Sequence, residues 1–263
     1  MATTDHQAFP QPSDPSVSIW RYLDFTKFCS LLSTSGLWFA AADRLGDVHE
    51  GAVPTDHVAL RWQQAAGHFE ALKDKVQDRK AFFESLVRVE KARHRVGEAS
   101  RKSFFVSCWY ASDVESAAMW KLYAQTNEAV AIRSTYSDLV DCLSDDDIFV
   151  GKVRYIDYSR DTFPHNNVFA PFMHKRLSFQ HEREVRAIRA IFPSGGGVVS
   201  HEEFISAQPP GLLEQVDLQR LVRGVYVAPD SPRWFRPLVE TMCSTFGLHV
   251  PVQQSGLAEK PLF

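Results

Sequence analysis

Residues 103–109 read Ser-Phe-Phe-Val-Ser-Cys-Trp, and this stretch decides the fold class. It is short and rich in aromatic and β-branched side chains, which is typical of a β-strand. Six further runs of the same type lie before and after it, with helical patterns between them. These runs cover residues 17–23, 37–41, 128–133, 149–156, 182–191 and 221–227. We therefore predict an α+β fold with a mostly antiparallel sheet.

Three helices are predicted between the strands. Residues 25–32 show the helical spacing of apolar side chains. The tetrapeptide 112–115, Ser-Asp-Val-Glu, has the form of a capping box before a helix at residues 117–123. Residues 232–246 form the third helix, and Gly247 stands where a helix commonly ends on a left-handed glycine.

A helical pattern without proline runs from Thr55 to Lys102 and predicts an insertion of two or more helices at about residues 52–102. Its last part begins at Lys73, ends at Lys102, and holds ten Lys or Arg residues against five Asp or Glu. The whole chain has a net charge of -3, so this basic excess is local. It is either a solvated helix face or a surface that steers a nucleic acid.

The composition and the N-terminus indicate a cytoplasmic protein with one domain. Pro10, Pro12 and Pro15 predict a flexible lead over residues 1–16, and residues 17–263 are expected to form a single domain. The lead lacks the basic and apolar parts of a signal peptide, and no apolar run reaches the ~18 residues of a membrane helix. The four cysteines lie far apart, which favours a reducing compartment.

The motifs of common nucleotide-binding, hydrolase and zinc-protease sites are absent from the sequence. The glycine triplet 195–197 lacks the Lys and the Ser or Thr of a phosphate-binding loop, so we interpret it as a hairpin tip or a mobile loop. His174 and His181, with Glu182 adjacent, are the candidates for a zinc site. Because the other histidines are scattered, we expect no metal site.

Glu182 and Glu184 are separated by one residue within a predicted strand, and Arg186 follows two residues later. Side chains two residues apart on a strand share a face and are separated by ~6.6 Å. Two carboxylates on one face suit acid-base chemistry or the stabilisation of a developing cation. The alternative is an edge strand whose polar face is solvated.

Arg21 lies on the first predicted strand, on the same face as Ile19 and Leu23. An unpaired guanidinium in such apolar surroundings is costly, so an anionic partner is expected. The partner is either a carboxylate of the chain, such as Asp24 or Asp43, or the pyrophosphate of a ligand.

Ser107 shares a strand face with Phe105 and Trp109. It is either part of the floor beneath a flat ring or a hydrogen-bonded core residue. Trp120 and Tyr123 follow on a predicted helix, three residues apart. That spacing is typical of a core-facing stripe and, less commonly, of a pocket wall.

The chain resembles a widespread bacterial family, domain-of-unknown-function 2971, from about residue 17 to residue 252. Several short motifs occur in the order expected for that family, and the strand at 226–229 and the helix at 234–248 are similar to its C-terminal end. The motifs are Trp20-Arg21-Tyr22, Leu37-Trp38-Phe39, Phe105-Val106-Ser107-Cys108-Trp109, Met119-Trp120, Tyr123-Ala124, Lys152-Val153, Tyr155, and Glu182 with Glu184-Val185-Arg186.

The strand order of that family is similar to the ADP-ribosyltransferase fold, a split antiparallel sheet that holds NAD in a central cleft. By this resemblance Arg21 holds the phosphate side of NAD, with Tyr22 as a further NAD-binding residue, and Ser107 shapes the nicotinamide pocket. The sequence reads Ser-Cys-Trp where that class has Ser-Thr-Ser, which is a departure at the nicotinamide contact. The aromatic residues expected to stack on the nicotinamide are Trp109, Trp120 and Tyr123.

The resemblance also assigns a role to each carboxylate. Glu184 matches the glutamate that binds the nicotinamide ribose, and Glu182 takes the upstream position that often orients the acceptor. Breaking the nicotinamide–ribose bond passes through an oxocarbenium-like cation, which a nearby carboxylate stabilises in a dry site. Glu184 is therefore the expected catalytic carboxylate.

The resemblance implies an NAD-dependent ADP-ribosyltransferase, a toxin or antiphage defence effector that modifies RNA, DNA or a protein. An antitoxin protein is a further expected partner. Lys175, Arg176 and Arg183 would join the basic stretch in steering a nucleic acid. The alternatives are hydrolysis of NAD without a macromolecular acceptor and nucleic-acid binding without catalysis.

A cysteine protease is a different alternative, because Cys108-Trp109 matches the dipeptide at some protease nucleophiles, with His174 or His181 as the base. Such nucleophiles normally open a helix, whereas Cys108 lies within a predicted strand. We therefore expect Cys108 to be a buried, inert thiol.

Overall fold

The computed structural model describes residues 2–124, 126–143, 145–164, 167–193 and 201–259. The glycine triplet 195–197 lies outside these residues. The strands are β1 (Ser18–Asp24), β2 (Gly36–Ala41), β3 (Phe104–Ala111), β4 (Ala129–Thr135), β5 (Ile148–Lys152), β6 (Arg154–Ile156), β7 (His174–Arg176), β8 (Glu184–Ala190), β9 (Gly211–Gln215), β10 (Gly224–Val227) and β11 (Val252–Gln254). The helices are α1 (Phe25–Thr34), α2 (Thr55–Leu72), α3 (Arg79–Ser100), α4 (Ala117–Tyr123), α5 (Tyr136–Cys142), α6 (Ala170–Met173), α7 (His201–Ser206), α8 (Leu218–Leu221) and α9 (Phe235–Thr245).

One large sheet organises the described residues, and its pairs are antiparallel except for β10 with β11. One half has the order β11-β10-β4-β1, and the other half has the order β5-β8-β3-β2-β9. The halves meet where β1 pairs with β3. The fold is thus mixed α and β with a large antiparallel sheet, as the strand patterns predict.

The sheet is open along one edge of β3. On that edge β2 pairs with Phe105 and Val106, and β1 pairs with Tyr110 and Ala111. Within the described strands, none pairs with residues 107–109 there, whereas β8 pairs with β3 continuously along the other edge. The resulting gap between β1 and β2 forms a cleft beside the middle of β3.

Each face of the sheet has its own core because strand side chains alternate between the faces. Ile19 and Leu23 of β1 pack with α1 and α9 in the main core. The even-numbered residues Trp20 and Tyr22 pack with Met119 and Trp120 of α4 on the opposite face. None of the helices in the described residues is long and apolar enough to cross a membrane.

The predicted helical insertion contains α2 and α3. The residues predicted for α1 are helical, and α9 covers residues 235–245 of the predicted 232–246. Gly247 has a φ of +74°, the left-handed conformation expected after a helix. The cap of α4 differs from the prediction: Ser116, not Ser112, accepts the Met119 amide. Glu115 instead accepts hydrogen bonds from Trp120 and from the backbone of residue 256.

Two predicted strands are shorter than expected. One is divided between two sheets, and the other is preceded by a short helix. The predicted strand at 149–156 is divided into β5 and β6, which belong to different sheets. The predicted strand at 221–227 begins only at Gly224, because Asp217 caps the short helix α8 before it. The divided strand leaves Val153 free to donate its amide to the Glu184 carbonyl at 2.9 Å.

The prediction of a flexible lead over residues 1–16 is wrong for the part that follows Met1. Thr3 exchanges backbone hydrogen bonds with β5, at 2.7 Å to Ile148 and 3.1 Å from Val150. Phe9 is buried and packs against Phe149. Phe9 precedes the first proline of the lead and buries its apolar surface on β5.

Candidate active site

The opening in the sheet forms a cleft with a volume of about 550 Å³. It is bordered by β1, β2 and β3, by residues 44–46, by α4 and by the start of β8. Six of the residues assigned to the NAD site by resemblance line it, and Cys108 lines it as well. The six are Arg21, Tyr22, Trp109, Tyr123, Glu182 and Glu184. The cleft therefore brings together an arginine, two carboxylates and several aromatic rings from distant parts of the chain.

Arg21 reaches across the gap between β1 and β2. Its guanidinium donates to the Ser107 hydroxyl and, at 2.8 Å, to the backbone carbonyl of Trp38. The guanidinium carbon lies 5.8 Å from the centre of the Trp109 ring. Burial lowers the pKa of Arg21 to about 10, so the side chain remains charged at neutral pH.

Neither carboxylate suggested as a partner for Arg21 binds it. Asp24 accepts the Lys27 amide at the start of α1 and pairs with the Lys27 ammonium at 2.7 Å. Asp43 has a buried Oδ1 without a hydrogen bond in the described part of the chain. Arg21 makes no ion pair with any described residue, so its cation is available to an anionic ligand in the cleft.

The two carboxylates are not side by side on one strand face, as the sequence pattern predicted. β8 begins at Glu184, while Glu182 ends a 3-10 turn, and Arg183 between them has a left-handed φ of +40°. That turn breaks the alternation, yet both carboxylates reach the ammonium of Lys175. Lys175 Nζ donates to Glu182 and lies 3.4 Å from Glu184 Oε2.

β8 lies between β3 and β5, so the alternative of a solvated edge strand is wrong. Glu184 and Arg186 are both buried there and form an ion pair at 2.9 Å. Burial raises the pKa of Glu184, but Arg186 and Lys175 outweigh this effect and hold the pKa at about 2. Glu184 is therefore a carboxylate anion throughout the physiological range.

Aromatic side chains complete the wall. The Tyr22 hydroxyl accepts the Ser116 amide at 2.9 Å. Tyr123 is 47% exposed and lines the cleft. Burial and the nearby Glu182 raise the pKa of Tyr123, so its hydroxyl keeps its proton. The Tyr155 hydroxyl accepts the Glu184 amide at 2.8 Å and fixes the first residue of β8.

Ser107 and Trp120 do not lie on the cleft surface. Ser107 is fully buried, and its hydroxyl accepts a hydrogen bond from Arg21. Trp120 lies behind Tyr22, with ring centres 5.0 Å apart, and its Nε1 donates to Glu115 at 3.0 Å. Ser107 bonds to Arg21 and Trp120 packs against Tyr22, so both support residues that line the cleft.

Cys108 lies within β3 and not at the start of a helix, as predicted, so its position differs from that of a protease nucleophile. Burial and the neighbouring Glu184 raise the pKa of its thiol well above the ordinary value. The Nδ1 atom of His174 lies 2.7 Å from the Ala170 carbonyl, and its ring stacks on Phe163 instead of facing a thiol. Among the described residues, no group of three or more His, Cys, Asp or Glu side chains is arranged to hold a metal ion.

Comparisons with known proteins give one distant likeness. The chain is similar to the solved structure of Thermus sp. 2.9 DarT in complex with ADP-ribosylated ssDNA. Sequence identity is 9% and the TM-score is 0.38, with 94% of this chain and 97% of that chain covered. No family model matches the chain, and none supports the family suggested by the motifs. No curated protein matches it either.

The sequence indicated only part of the charged environment of the cleft. The sequence predicts that Lys175 helps to steer a nucleic acid, but the structure buries it between two carboxylates. Arg176, for which the same role is predicted, pairs with Asp47 at 2.8 Å. Arg186 follows Glu184 at strand spacing and was visible in the pattern, whereas Glu50 lies in an irregular segment that gave no signal.

Proposed function

We propose that this protein is an NAD-dependent ADP-ribosyltransferase. One observation carries the proposal: a guanidinium without a carboxylate partner, Arg21, lines the same cleft as the ionised Glu184 and its neighbour Glu182. The guanidinium of Arg21 suits the diphosphate of NAD, and the carboxylate of Glu184 suits a sugar cation that forms during the reaction. The aromatic side chains of Trp109 and Tyr123 suit the flat nicotinamide ring.

The proposed reaction begins with the NAD diphosphate on Arg21. The bond between ribose C1′ and the nicotinamide nitrogen breaks, both bonding electrons go to the nicotinamide, and the ribose becomes an oxocarbenium-like cation. Glu184 stabilises this cation because it is already charged and fixed in place. An acceptor nucleophile then forms a bond to C1′, and Glu182 orients it and receives its proton.

A nucleic acid is the acceptor that the charge distribution favours over a protein. Four exposed cationic residues of α3 follow one another at intervals of eight, three and four residues. They are Lys80, Arg88, Lys91 and Arg95, here called the α3 basic stripe. Such spacings lie along one side of a helix. None of these side chains makes an ion pair with a described residue. We propose that the stripe guides RNA or DNA toward the cleft.

The biological role that we propose is a toxin or antiphage defence effector in the cytoplasm, with an antitoxin protein as its partner. This role rests on the family resemblance of the motifs. There are two alternative functions. One is NAD hydrolysis with water as the acceptor. The other is nucleic-acid binding without NAD turnover, which the α3 basic stripe supports.

The test is to incubate the purified protein with NAD labelled in its adenosine half and with RNA, single-stranded DNA, double-stranded DNA and cell protein separately. We expect release of nicotinamide and transfer of the label to one nucleic-acid fraction. Glu184→Gln should lower nicotinamide release by about 100-fold or more, as expected for loss of a preorganised charge. The matched control is Glu240→Gln, on the exposed surface of α9.

Full NAD turnover by folded Glu184→Gln would contradict the proposed mechanism. Release of nicotinamide without labelling of any fraction would identify an NAD hydrolase. Nucleic-acid binding by a protein that leaves NAD intact would replace the enzyme with a binding protein.

A further inference from the structure

A buried cluster of five charged side chains lies behind the cleft. It consists of Glu50, Lys175, Glu182, Glu184 and Arg186, and the exposed fraction of each side chain is 11% or less. Three carboxylates face two cations, so the cluster carries one net negative charge. Glu182 and Glu184 form its cleft side, and Glu50 lies on the far side of Arg186.

Arg186 uses all five of its N–H groups in this cluster. Its Nε and Nη2 donate to the two oxygens of Glu184 at 3.0 and 2.9 Å. Its Nη1 and Nη2 donate to the two oxygens of Glu50 at 2.5 and 2.8 Å. The remaining donor reaches the Phe172 carbonyl at 2.5 Å. The planar guanidinium therefore holds two carboxylates in fixed orientations.

Glu50 belongs to the segment that also forms one wall of the cleft through residues 44–46. The following Gly51 has a φ of +72°, and a Cβ there would lie 2.5 Å from the Phe172 ring. The backbone at this point is thus tightly fixed against the residue that also accepts from Arg186. Through Glu50, the same guanidinium connects the cleft wall to Glu184.

We infer that Glu50 and Arg186 are positioning residues for Glu184, which hold its carboxylate charged and oriented toward the cleft; this inference rests on the proposed transferase function. Neither residue lines the cleft. Arg186 with Glu184 alone would leave buried guanidinium donors without acceptors, and such donors cost free energy. Glu50 accepts these donors and so allows Arg186 to stay beside Glu184.

The test compares Glu50→Gln with the wild-type protein. Glutamine has nearly the shape of glutamate, but it removes one charge and presents an N–H group to Arg186. We expect kcat for nicotinamide release to fall by about tenfold or more, because removing a residue that fixes catalytic geometry costs this much. The KM for NAD should change less than about twofold, because Glu50 does not reach the cleft. The matched control is Glu214→Gln on β9, which removes a carboxylate paired with Arg189 of β8.

Arg186→Lys provides an independent readout. Lysine keeps the positive charge but cannot form the paired bonds to Glu184, so the acid limb of the kcat profile should move to higher pH by about one unit. Far-UV circular dichroism and thermal unfolding establish that each variant is folded. Should Glu50→Gln fail to fold, Glu50→Asp keeps the charge, displaces the carboxylate and should lower kcat with unchanged KM.

A folded Glu50→Gln or Glu50→Asp protein with wild-type kcat, together with an unshifted acid limb in Arg186→Lys, would overturn the inference while leaving the proposed function intact. An equal fall in the Glu214→Gln control would also overturn it, because loss of a carboxylate paired with an arginine away from the cleft would then have the same effect. Wild-type protein that does not release nicotinamide would overturn the proposed function and the inference together.

Discussion

At the scale of single residues, the cleft combines a guanidinium that pairs with no described carboxylate and a carboxylate that is held by two cations. Arg21 binds only neutral oxygens, whereas Glu184 is surrounded by Arg186 and Lys175. This contrast suits a substrate that carries an anion at one end and develops a cation at the other. Arg21 is thus set for binding and Glu184 for electrostatic stabilisation of a short-lived charge.

Cys108 is expected to resist alkylation in the folded protein. Only the thiolate reacts with iodoacetamide, and burial together with Glu184 raises the pKa of this thiol well above its ordinary value. Peptide mapping by mass spectrometry after brief treatment at neutral pH should show Cys108 unmodified, and denatured protein, as the control, should show it fully modified. Rapid native labelling would restore the cysteine-nucleophile alternative.

At the scale of elements, strand ends decide where the chemistry lies. β3 loses its neighbour on one edge over residues 107–109, and β8 begins at Glu184 directly after a left-handed residue. The first event opens the cleft, and the second separates Glu182 from Glu184. Both depend on which strands pair and where each pairing stops.

The N-terminal lead is expected to be a stabilising element because it lies against β5. A Cβ at Gly151 would be 2.7 Å from the Phe9 Cα, so Gly151→Ala should displace the lead and lower the free energy of unfolding by about 1–3 kcal/mol. Urea unfolding measures this change, and limited proteolysis with thermolysin reports exposure of the lead.

Gly67→Ala is the matched control for this substitution, because no atom lies within 4 Å of a Cβ placed there on α2. Alanine should instead raise the free energy of unfolding by about 1 kcal/mol through its helix propensity. Equal stability and equal protease resistance of Gly151→Ala and wild-type protein would show that the lead does not pack as described.

At the scale of the whole molecule, the net charge of -3 is an average that conceals the positively charged α3 basic stripe. The cleft in the sheet and the α2–α3 hairpin differ in the charged groups that they expose. The cleft combines Arg21 and Arg44, which make no ion pair with a described residue, with the ionised Glu184. The hairpin presents to solvent cations that likewise pair with no described residue. A polyanionic acceptor would therefore contact the hairpin and place only its reacting nucleotide in the cleft.

The α3 basic stripe is expected to give salt-dependent binding of single-stranded nucleic acid. Replacing Lys80 and Lys91 with Glu should weaken binding by about tenfold at low salt and reduce the slope of log K against log salt by about 1.5, because two phosphate contacts are lost. Fluorescence anisotropy at several salt concentrations measures both quantities. The control Lys152→Glu changes an exposed lysine on β5, and an effect as large as that of the stripe variant would contradict the assignment.

The sequence by itself determined the elements and the principal charged residues. Short runs rich in aromatic and β-branched side chains identified β1, β3 and β8, helical spacing identified α1 and the insertion, and Gly247 marked the end of α9. These features follow from neighbouring residues, because backbone preference and the burial of one face are local properties. The residue types of Arg21 and Glu184 likewise singled them out before their surroundings were known.

Only the tertiary structure decided how these residues meet. Glu50 and Arg186 are 136 residues apart, and Lys175 joins two carboxylates that the strand pattern had placed side by side. The lead with three prolines packs on β5 although its composition predicted flexibility. Strand pairing and buried ion pairs depend on contacts between distant segments, and the free energy of those contacts exists only once the whole sheet has formed.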